Sequence, residues 1–156
     1  MKGKSAGGHE KPVRGNTNEW HTPVHILDAL GPFDLDPAMP GSSDGLTKPW
    51  RGFVWLNPPY GPEVGLWLFR LARHGNGIAI VYARTETKWF QREIWSKADA
   101  LLFLHNRIKF VKNGIEAKGN AGAPSVLVAY GNNAKQRLLE CDLRGTYIDE
   151  WSHSDA

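Results

Sequence analysis

The tetrapeptide Asn57-Pro58-Pro59-Tyr60, which follows an apolar run, is the segment whose residue types most directly suggest chemistry. Each proline fixes its own φ and restricts the residue before it, so the backbone here is stiff and extended. The side-chain amide oxygen of Asn57 and the carbonyl of Pro58 can then point the same way as two hydrogen-bond acceptors. Paired acceptors suit an exocyclic amino group, and the ring of Tyr60 can stack on a planar base. This pattern predicts that a planar, amino-bearing substrate is held with its nitrogen exposed to an electrophile.

The segments around this tetrapeptide alternate between strand-like and helix-like patterns, which is typical of an α/β fold. Strands are predicted at residues 33–36, 52–57, 77–83, 101–104, 107–111 and 124–130. Helices are predicted at residues 22–30, 61–73 and 88–97, with a further short helical stretch after residue 130. We therefore expect a mostly parallel sheet with helices on both faces. Ligands of such sheets bind beyond the carboxyl ends of the strands, where Asp36 and Asn57 both fall.

The order of motifs along the chain resembles that of the phage-type DNA N6-adenine methyltransferase family, the small adenine methylases of phages and prophages. RNA and glutamine methyltransferases share the tetrapeptide, so the resemblance is carried by the ordered set, over roughly residues 18–130. The segments that match in order are Glu19-Trp20-His21-Thr22-Pro23, Asp34-Leu35-Asp36-Pro37-Ala38, Asp44-Gly45-Leu46, Trp50, Val54 to Tyr60, Ala83-Arg84-Thr85, Trp89 and Arg107-Ile108-Lys109-Phe110. The resemblance implies a compact Rossmann-like fold that uses S-adenosylmethionine to methylate the N6 amino group of adenine in DNA.

The resemblance also implies roles for individual residues. Asn57 and Pro58 would accept hydrogen bonds from the N6 amino group, and Tyr60 would stack on the flipped-out adenine. Asp36 would hold the amino group of the cofactor's methionine moiety, and Thr22 would cap a helix near its carboxylate. The implied catalytic residues are Asn57, Pro58, Pro59 and Tyr60. The residues implied in S-adenosylmethionine binding are Trp20, Thr22, Pro23, Asp36, Pro37, Ala38 and Asn57.

Basic and aromatic residues follow the tetrapeptide and indicate a nucleic acid as the partner. The formal net charge is +3 and the sequence pI is about 9.1. Residues 84–118 hold eight basic side chains against four acidic ones, interleaved with aromatic rings, which suits phosphate contacts and base stacking. Double-stranded DNA is the expected partner, and its expected contacts are Arg84, Trp89, Arg107 and Lys109. Trp89 is equally well explained as a core residue, and the two later cations as ordinary surface.

The composition of the chain predicts how it is divided. Residues 1–17 are expected to form a basic, glycine-rich arm, residues 18–140 the methyltransferase domain, and residues 141–156 a C-terminal tail. A small insertion around residues 105–123 is expected to contact DNA. Only the 15 residues 37–51 separate the first two predicted strands, close to the shortest crossover that a parallel pair needs. The acidic residue that binds the cofactor's ribose in relatives of this fold therefore has no clear counterpart, and Asp44 is the remaining candidate.

Composition excludes several classes of protein. No apolar run approaches the roughly 20 residues of a membrane-spanning helix, and residues 1–18 lack the apolar core of a secretory signal. The single cysteine, Cys141, excludes an internal disulfide and a cysteine-based zinc cluster. His21 and His25 are four residues apart, but no third ligand is evident, so no metal is expected. We expect a soluble protein in the cytoplasm of a bacterial or phage-infected cell, with its oligomeric state left open.

Competing interpretations remain open at this point. The tetrapeptide could be only a strand-ending turn, since Asn and Pro are common there. Asp36 and Thr22 could likewise be turn and cap residues that bind nothing. Within the same class, the substrate could be an RNA adenine or a protein glutamine. In a different class, the chain could be a nucleic-acid-binding protein that has lost cofactor binding, which the short segment 37–51 allows.

Overall fold

The structure of the protein, a computed structural model, describes residues 21–112, 115–116 and 122–154. Its helices are α1 (Val24–Leu30), α2 (Val64–His74), α3 (Lys88–Phe90) and α4 (Asn132–Glu140). A π-helical turn, Gln91–Trp95, continues α3. The strands are β1 (Val54–Leu56), β2 (Gly77–Tyr82), β3 (Ala100–Leu104), β4 (Val111–Lys112), β5 (Ile115–Glu116), β6 (Ser125–Tyr130) and β7 (Gly145–Ile148). The expected arm at residues 1–17, Trp20 and part of the expected insertion at 105–123 lie outside the described residues.

The main sheet has five strands in the order β1-β2-β6-β3-β7 and is mixed. β1 and β2 are parallel, whereas the β2–β6, β6–β3 and β3–β7 pairs are antiparallel. The prediction of a mostly parallel sheet is therefore wrong, although the α/β class is confirmed. After β3 the chain forms the β4–β5 hairpin instead of a crossover helix, and it returns through β6 in the opposite direction.

Helices cover both faces of the sheet. Successive side chains of the strands enter two separate apolar clusters, because a strand points alternate residues to opposite sides. On one side, here called the α1 face, α1 and α4 contribute Ile26 and Leu138. On the other side, the α2 face, α2 and the π-helical turn contribute Leu68 and Ile94. The strands β1, β2, β3 and β6 are consequently apolar along most of their length, and the expectation of helices on both faces is confirmed.

The first predicted strand, residues 33–36, is reduced to one parallel bridge between Leu35 and Val54. Asp34 occupies the adjoining position, where its backbone N–H donates to the Phe53 carbonyl at 2.7 Å. Its carboxylate oxygen Oδ2 accepts from the Phe53 N–H, also at 2.7 Å. The Asp34 carboxylate thus takes the place of a backbone acceptor between this segment and the residue before β1. The segment 33–36 still runs parallel to β1 beside it.

The segment expected as a C-terminal tail contains an edge strand of the sheet. β7 pairs antiparallel with β3, from Leu101 opposite Ile148 to Leu104 opposite Gly145. Beyond it, the indole Nε1 of Trp151 donates to the carbonyl of Trp95 at 2.9 Å. The folded unit therefore extends past residue 140.

The stability of this fold is expected to decrease at alkaline pH, because folding raises the pKa of several tyrosines, among them Tyr130 and Tyr147. Burial raises the pKa of Tyr130, whose hydroxyl donates to the backbone carbonyl of Glu93, well above its usual value. Burial and the adjacent Asp149 carboxylate raise the pKa of Tyr147 to about 12. The unfolded chain ionises both groups near pH 10 while the folded chain keeps them neutral. The free energy of unfolding is therefore expected to fall as the pH rises above about 10.

Chemical denaturation at about pH 8 and about pH 11 measures this dependence. Tyr147→Phe removes one of these groups and should reduce the difference between the two free energies of unfolding. Equal stability of the native sequence at both pH values would contradict the assignment.

Candidate active site

The tetrapeptide follows the carboxyl end of β1, at the end of the sheet where the parallel strand β2 also ends. Asn57 follows Trp55 by two residues, and Trp55 packs on the α1 face, so the strand alternation directs Asn57 to that face. Pro58 is buried, whereas Pro59 and Tyr60 are exposed. The stiff Pro-Pro step thus has one anchored end and one end that faces solvent.

A side-chain hydrogen bond joins Asn57 to Thr22. The amide Nδ2 of Asn57 donates to the hydroxyl Oγ1 of Thr22 at 3.2 Å. Thr22 is completely buried and Asn57 is half-buried, so the amide is held from the protein side. Because the oxygen and nitrogen of an amide diverge from one carbon, Oδ1 is directed away from Thr22. The contact therefore fixes the plane of a side chain that keeps an acceptor for another group.

Thr22 does not cap α1, contrary to the sequence-based expectation. The helix begins at Val24, Pro23 stands at the N-cap position, and no side chain of the described residues makes a capping hydrogen bond there. The hydroxyl that would have capped the helix bonds Asn57 instead. Thr22 and Asn57 are 35 residues apart in sequence, so the pairing had no local signal.

Asp36 lies beside β1 on the same face as Asn57. The N–H of Trp55 donates to the Leu35 carbonyl at 2.9 Å, which sets Asp36 next to Trp55 in the register. Asp36 is half-buried. Asp36 is therefore level with Trp55, two residues before Asn57 in the direction of the strand, and lies at the same end of the sheet.

The residues that follow Asp36 lead away from this face. Pro37 is buried and Ala38 packs against the cluster of the α2 face. Asp44, the candidate for a ribose contact, forms an exposed ion pair with Lys48 at 3.2 Å. Its loop is fixed on the α2 side, where Trp50 Nε1 donates to the Gly45 carbonyl at 2.7 Å. The structure thus does not bring Ala38 or Asp44 to Asn57.

Tyr60 is stacked on a second tyrosine that sequence reasoning did not identify. The rings of Tyr60 and Tyr82 have centroids 4.4 Å apart and planes inclined by 14°. The guanidinium of Arg84 lies 5.7 Å from the Tyr82 ring centroid. Desolvation of its hydroxyl, with a smaller contribution from Tyr82, raises the pKa of Tyr60 above its usual value, although 38% of the residue is exposed. Tyr60 is therefore a neutral, partly exposed ring on a rigid support.

Buried polar atoms without a partner also occur on the α1 face. They include Trp55 Nε1 and Ser125 Oγ, neither of which finds a hydrogen-bond partner among the described residues. Ser125 lies opposite Tyr82 in the sheet register and is 1% exposed. Buried polar groups are almost always hydrogen-bonded, so these atoms indicate capacity for a polar ligand. Tyr82 was detectable as the end of a predicted strand, whereas Ser125 required the unexpected antiparallel pairing.

The expected nucleic-acid contacts fall in three places. Arg107 and Lys109 line a cleft of about 530 Å³ together with Pro23, on the α1 side. Arg84 is next to Tyr82, whereas Trp89 packs against Phe90 and the cluster of the α2 face. Trp89 is therefore a partly buried packing residue on the face of the sheet opposite the cleft of Arg107 and Lys109.

Within residues 21–112, 115–116 and 122–154, no three or more His, Cys, Asp or Glu side chains are grouped to hold a metal ion. In the same ranges, no helix has the length and apolarity needed to cross a membrane.

Comparison of the chain with family models, with curated proteins and with solved structures gives no match in any of the three.

Proposed function

We propose that the protein is a compact Rossmann-like methyltransferase that transfers the methyl group of S-adenosylmethionine to the N6 amino group of adenine in DNA. The observation that carries this proposal is the hydrogen bond from Asn57 to Thr22. It orients the first residue of the Asn-Pro-Pro-Tyr tetrapeptide on the face that also holds Asp36. An amide that served only a turn would have no need of a fully buried hydroxyl partner.

The α1 face has polar groups that fit S-adenosylmethionine. Its edge offers the Asp36 carboxylate for a cationic amino group, and the Ser125 hydroxyl, which has no hydrogen-bond partner among the described residues, for a polar atom. When bound, S-adenosylmethionine would supply a methyl group on a positively charged sulfur, which is an electrophile. Trp20, also expected to bind the cofactor, stays a prediction.

The chain's own residues would hold and orient the base. Asn57 Oδ1 and the Pro58 carbonyl accept hydrogen bonds from the two N–H groups of the adenine amino group and fix its orientation. Extraction of the base from the duplex costs a few kcal/mol, and stacking on Tyr60 returns about 1–3 kcal/mol. Because Tyr82 supports Tyr60 at 4.4 Å, the stacking surface needs little reorganisation. The remaining contribution is the alignment of the amino nitrogen with the methyl group.

The experiment that tests the proposal uses tritiated S-adenosylmethionine and unmethylated duplex DNA. The product is digested to nucleosides, and label is sought in N6-methyladenine. Calorimetric titration with S-adenosylmethionine alone measures cofactor binding independently. Label in N6-methyladenine would support the proposal, and label in RNA or in protein glutamine under matched conditions would replace the substrate. Absence of cofactor binding would remove the enzyme function altogether.

A second prediction concerns the positioning role of Thr22. Thr22→Val keeps the shape of the side chain but removes the hydrogen bond to Asn57, which is worth about 1–1.5 kcal/mol. We expect kcat to fall about fivefold to tenfold and the melting temperature to fall by about 2–8 °C. Thr22→Ser, which retains the hydroxyl, should restore most of the rate. Equal loss in both variants would indicate that Thr22 acts only through packing.

A further inference from the structure

We propose that a basic cleft on the α1 side binds the sugar-phosphate backbone of the DNA substrate, and that Arg144 supplies one of its phosphate contacts. The cleft has a volume of about 530 Å³ and is bounded by the N-terminal end of α1, residues 106–109 and residues 142–144. The choice of DNA as the polyanion rests on the proposed function, whereas the location of the site rests on the charges of the cleft.

The rim of the basic cleft concentrates positive charge from separate parts of the chain. Arg107 and Lys109 come from the segment after β3, and Arg144 comes from the segment before β7. All three are exposed, and Asp142 is the acidic residue among the side chains that line the cleft. His25 adds a further nitrogen-bearing ring from α1. Since the cations stand on an open rim and not in an enclosed pocket, they suit a long polyanion better than a small buried ligand.

The local geometry of residues 107–110 directs two of these cations to one side. Ile108 and Phe110 are 6% and 8% exposed, whereas Arg107 and Lys109 are exposed, so the segment alternates between core and solvent. In an extended chain, residues two apart lie on the same side at a spacing of about 6.6 Å. Two cations on the same exposed side of this segment match a backbone that carries regularly spaced phosphates.

Arg144 is held next to this row by the sheet. The N–H of His105 donates to the Arg144 carbonyl at 3.2 Å, directly beyond the pair of Leu104 and Gly145. The position of Arg144 therefore depends on β7, the edge strand that the sequence did not predict. Arg144 thereby adds a positive charge to the rim that Arg107 and Lys109 already make basic.

The basic cleft is also continuous with the candidate active site. His21 and Val111 exchange two backbone hydrogen bonds, of 2.7 and 2.9 Å. These bonds tie the segment that contains Arg107 and Lys109 to the residue before Thr22. Thr22 contacts Asn57, and Pro23 lines the cleft. A duplex bound along the rim would therefore lie beside the tetrapeptide that is proposed to receive the flipped base.

Fluorescence anisotropy with a labelled duplex, the full chain and no cofactor tests this proposal at several salt concentrations. Arg144→Gln should weaken binding and reduce the slope of log K against log salt by about 0.9, the change expected for one lost phosphate contact. Arg144→Lys should retain most of the slope. Arg92→Gln is the matched control, because Arg92 is exposed on the π-helical turn of the α2 side. Thermal melts of each variant verify that the fold is retained.

Each outcome bears on the proposal separately from the methylation assay. A slope for Arg144→Gln equal to that of the native sequence would overturn the cleft assignment, as would an equal reduction in Arg92→Gln. Binding of single-stranded RNA but not of duplex DNA would overturn the choice of ligand. A protein that binds DNA with an Arg144-dependent slope but transfers no methyl group would support the cleft and contradict the proposed activity.

Discussion

Replacement of Asn57 by alanine is expected to lower the rate of adenine methylation by at least about 100-fold, the scale on which loss of one preorganised hydrogen-bonding group acts. The amide is oriented by Thr22 at 3.2 Å, so its oxygen is in place before the substrate binds. Alanine removes that oxygen and leaves the amino group of the base with one fewer acceptor. The measurement is the initial rate of tritium transfer to duplex DNA at saturating S-adenosylmethionine.

Two further variants separate the acceptor from the fold. Asn57→Asp keeps acceptor oxygens, and the Thr22 hydroxyl can donate to the carboxylate, so this variant should recover part of the rate lost in Asn57→Ala. Asn133→Ala is the matched control. Asn133 is exposed at the start of α4, which follows β6 at the end of the sheet away from the tetrapeptide. Full activity in Asn57→Ala would contradict the role assigned to the amide.

Replacement of Trp55 by alanine is expected to lower the free energy of unfolding by about 3–5 kcal/mol. Trp55 has no exposed surface, and its ring lies 5.3 Å from that of Phe33 in the cluster of the α1 face. Its removal leaves a large cavity between β1 and α1, and the loss is a major fraction of the roughly 5–15 kcal/mol that stabilises a domain. Urea denaturation followed by circular dichroism measures the change.

Trp89→Ala provides the comparison for this prediction. Trp89 is only partly buried against Phe90, so the expected loss is smaller, about 1–2 kcal/mol. Trp55→Phe retains an aromatic ring and removes the indole N–H, which has no hydrogen-bond partner among the described residues, so it should lose less stability than Trp55→Ala. Equal losses for Trp55→Ala and Trp89→Ala would mean that the α1 face is not packed as described.

The sequence predicted where most strands lie but not how they are directed. Continuous apolar runs marked the strands now called β1, β2, β3 and β6, because a strand covered on both faces has no polar side. The same runs carry no information on direction, which depends on the connection after β3. β7 was missed because its sequence, Gly145 to Ile148, has a single strongly apolar residue and is only partly buried at the edge.

The candidate site was predictable as far as local chemistry extends. The stiffness of the Asn57 tetrapeptide and the strand-end position of Asp36 follow from neighbouring residues, and the structure brings both to one edge. The partnership with Thr22, the support of Tyr60 by Tyr82 and the convergence of Arg144 with Arg107 all join distant parts of the chain. Such contacts depend on the sheet order, which was not available from spacing.

The position of β6 has a consequence for how the protein is made. β6 joins the β1–β2 pair to the β3–β7 pair, yet it is synthesised after β1, β2 and β3. While the chain emerges from a ribosome, the apolar edges of β2 and β3 have no common neighbour until Ser125 to Tyr130 appear. Unpaired apolar edges are prone to associate with other chains. We therefore expect the sheet to assemble late in synthesis, when β6 pairs with the distant strands β2 and β3. A short delay between the synthesis of β3 and of β6 would limit association with other chains.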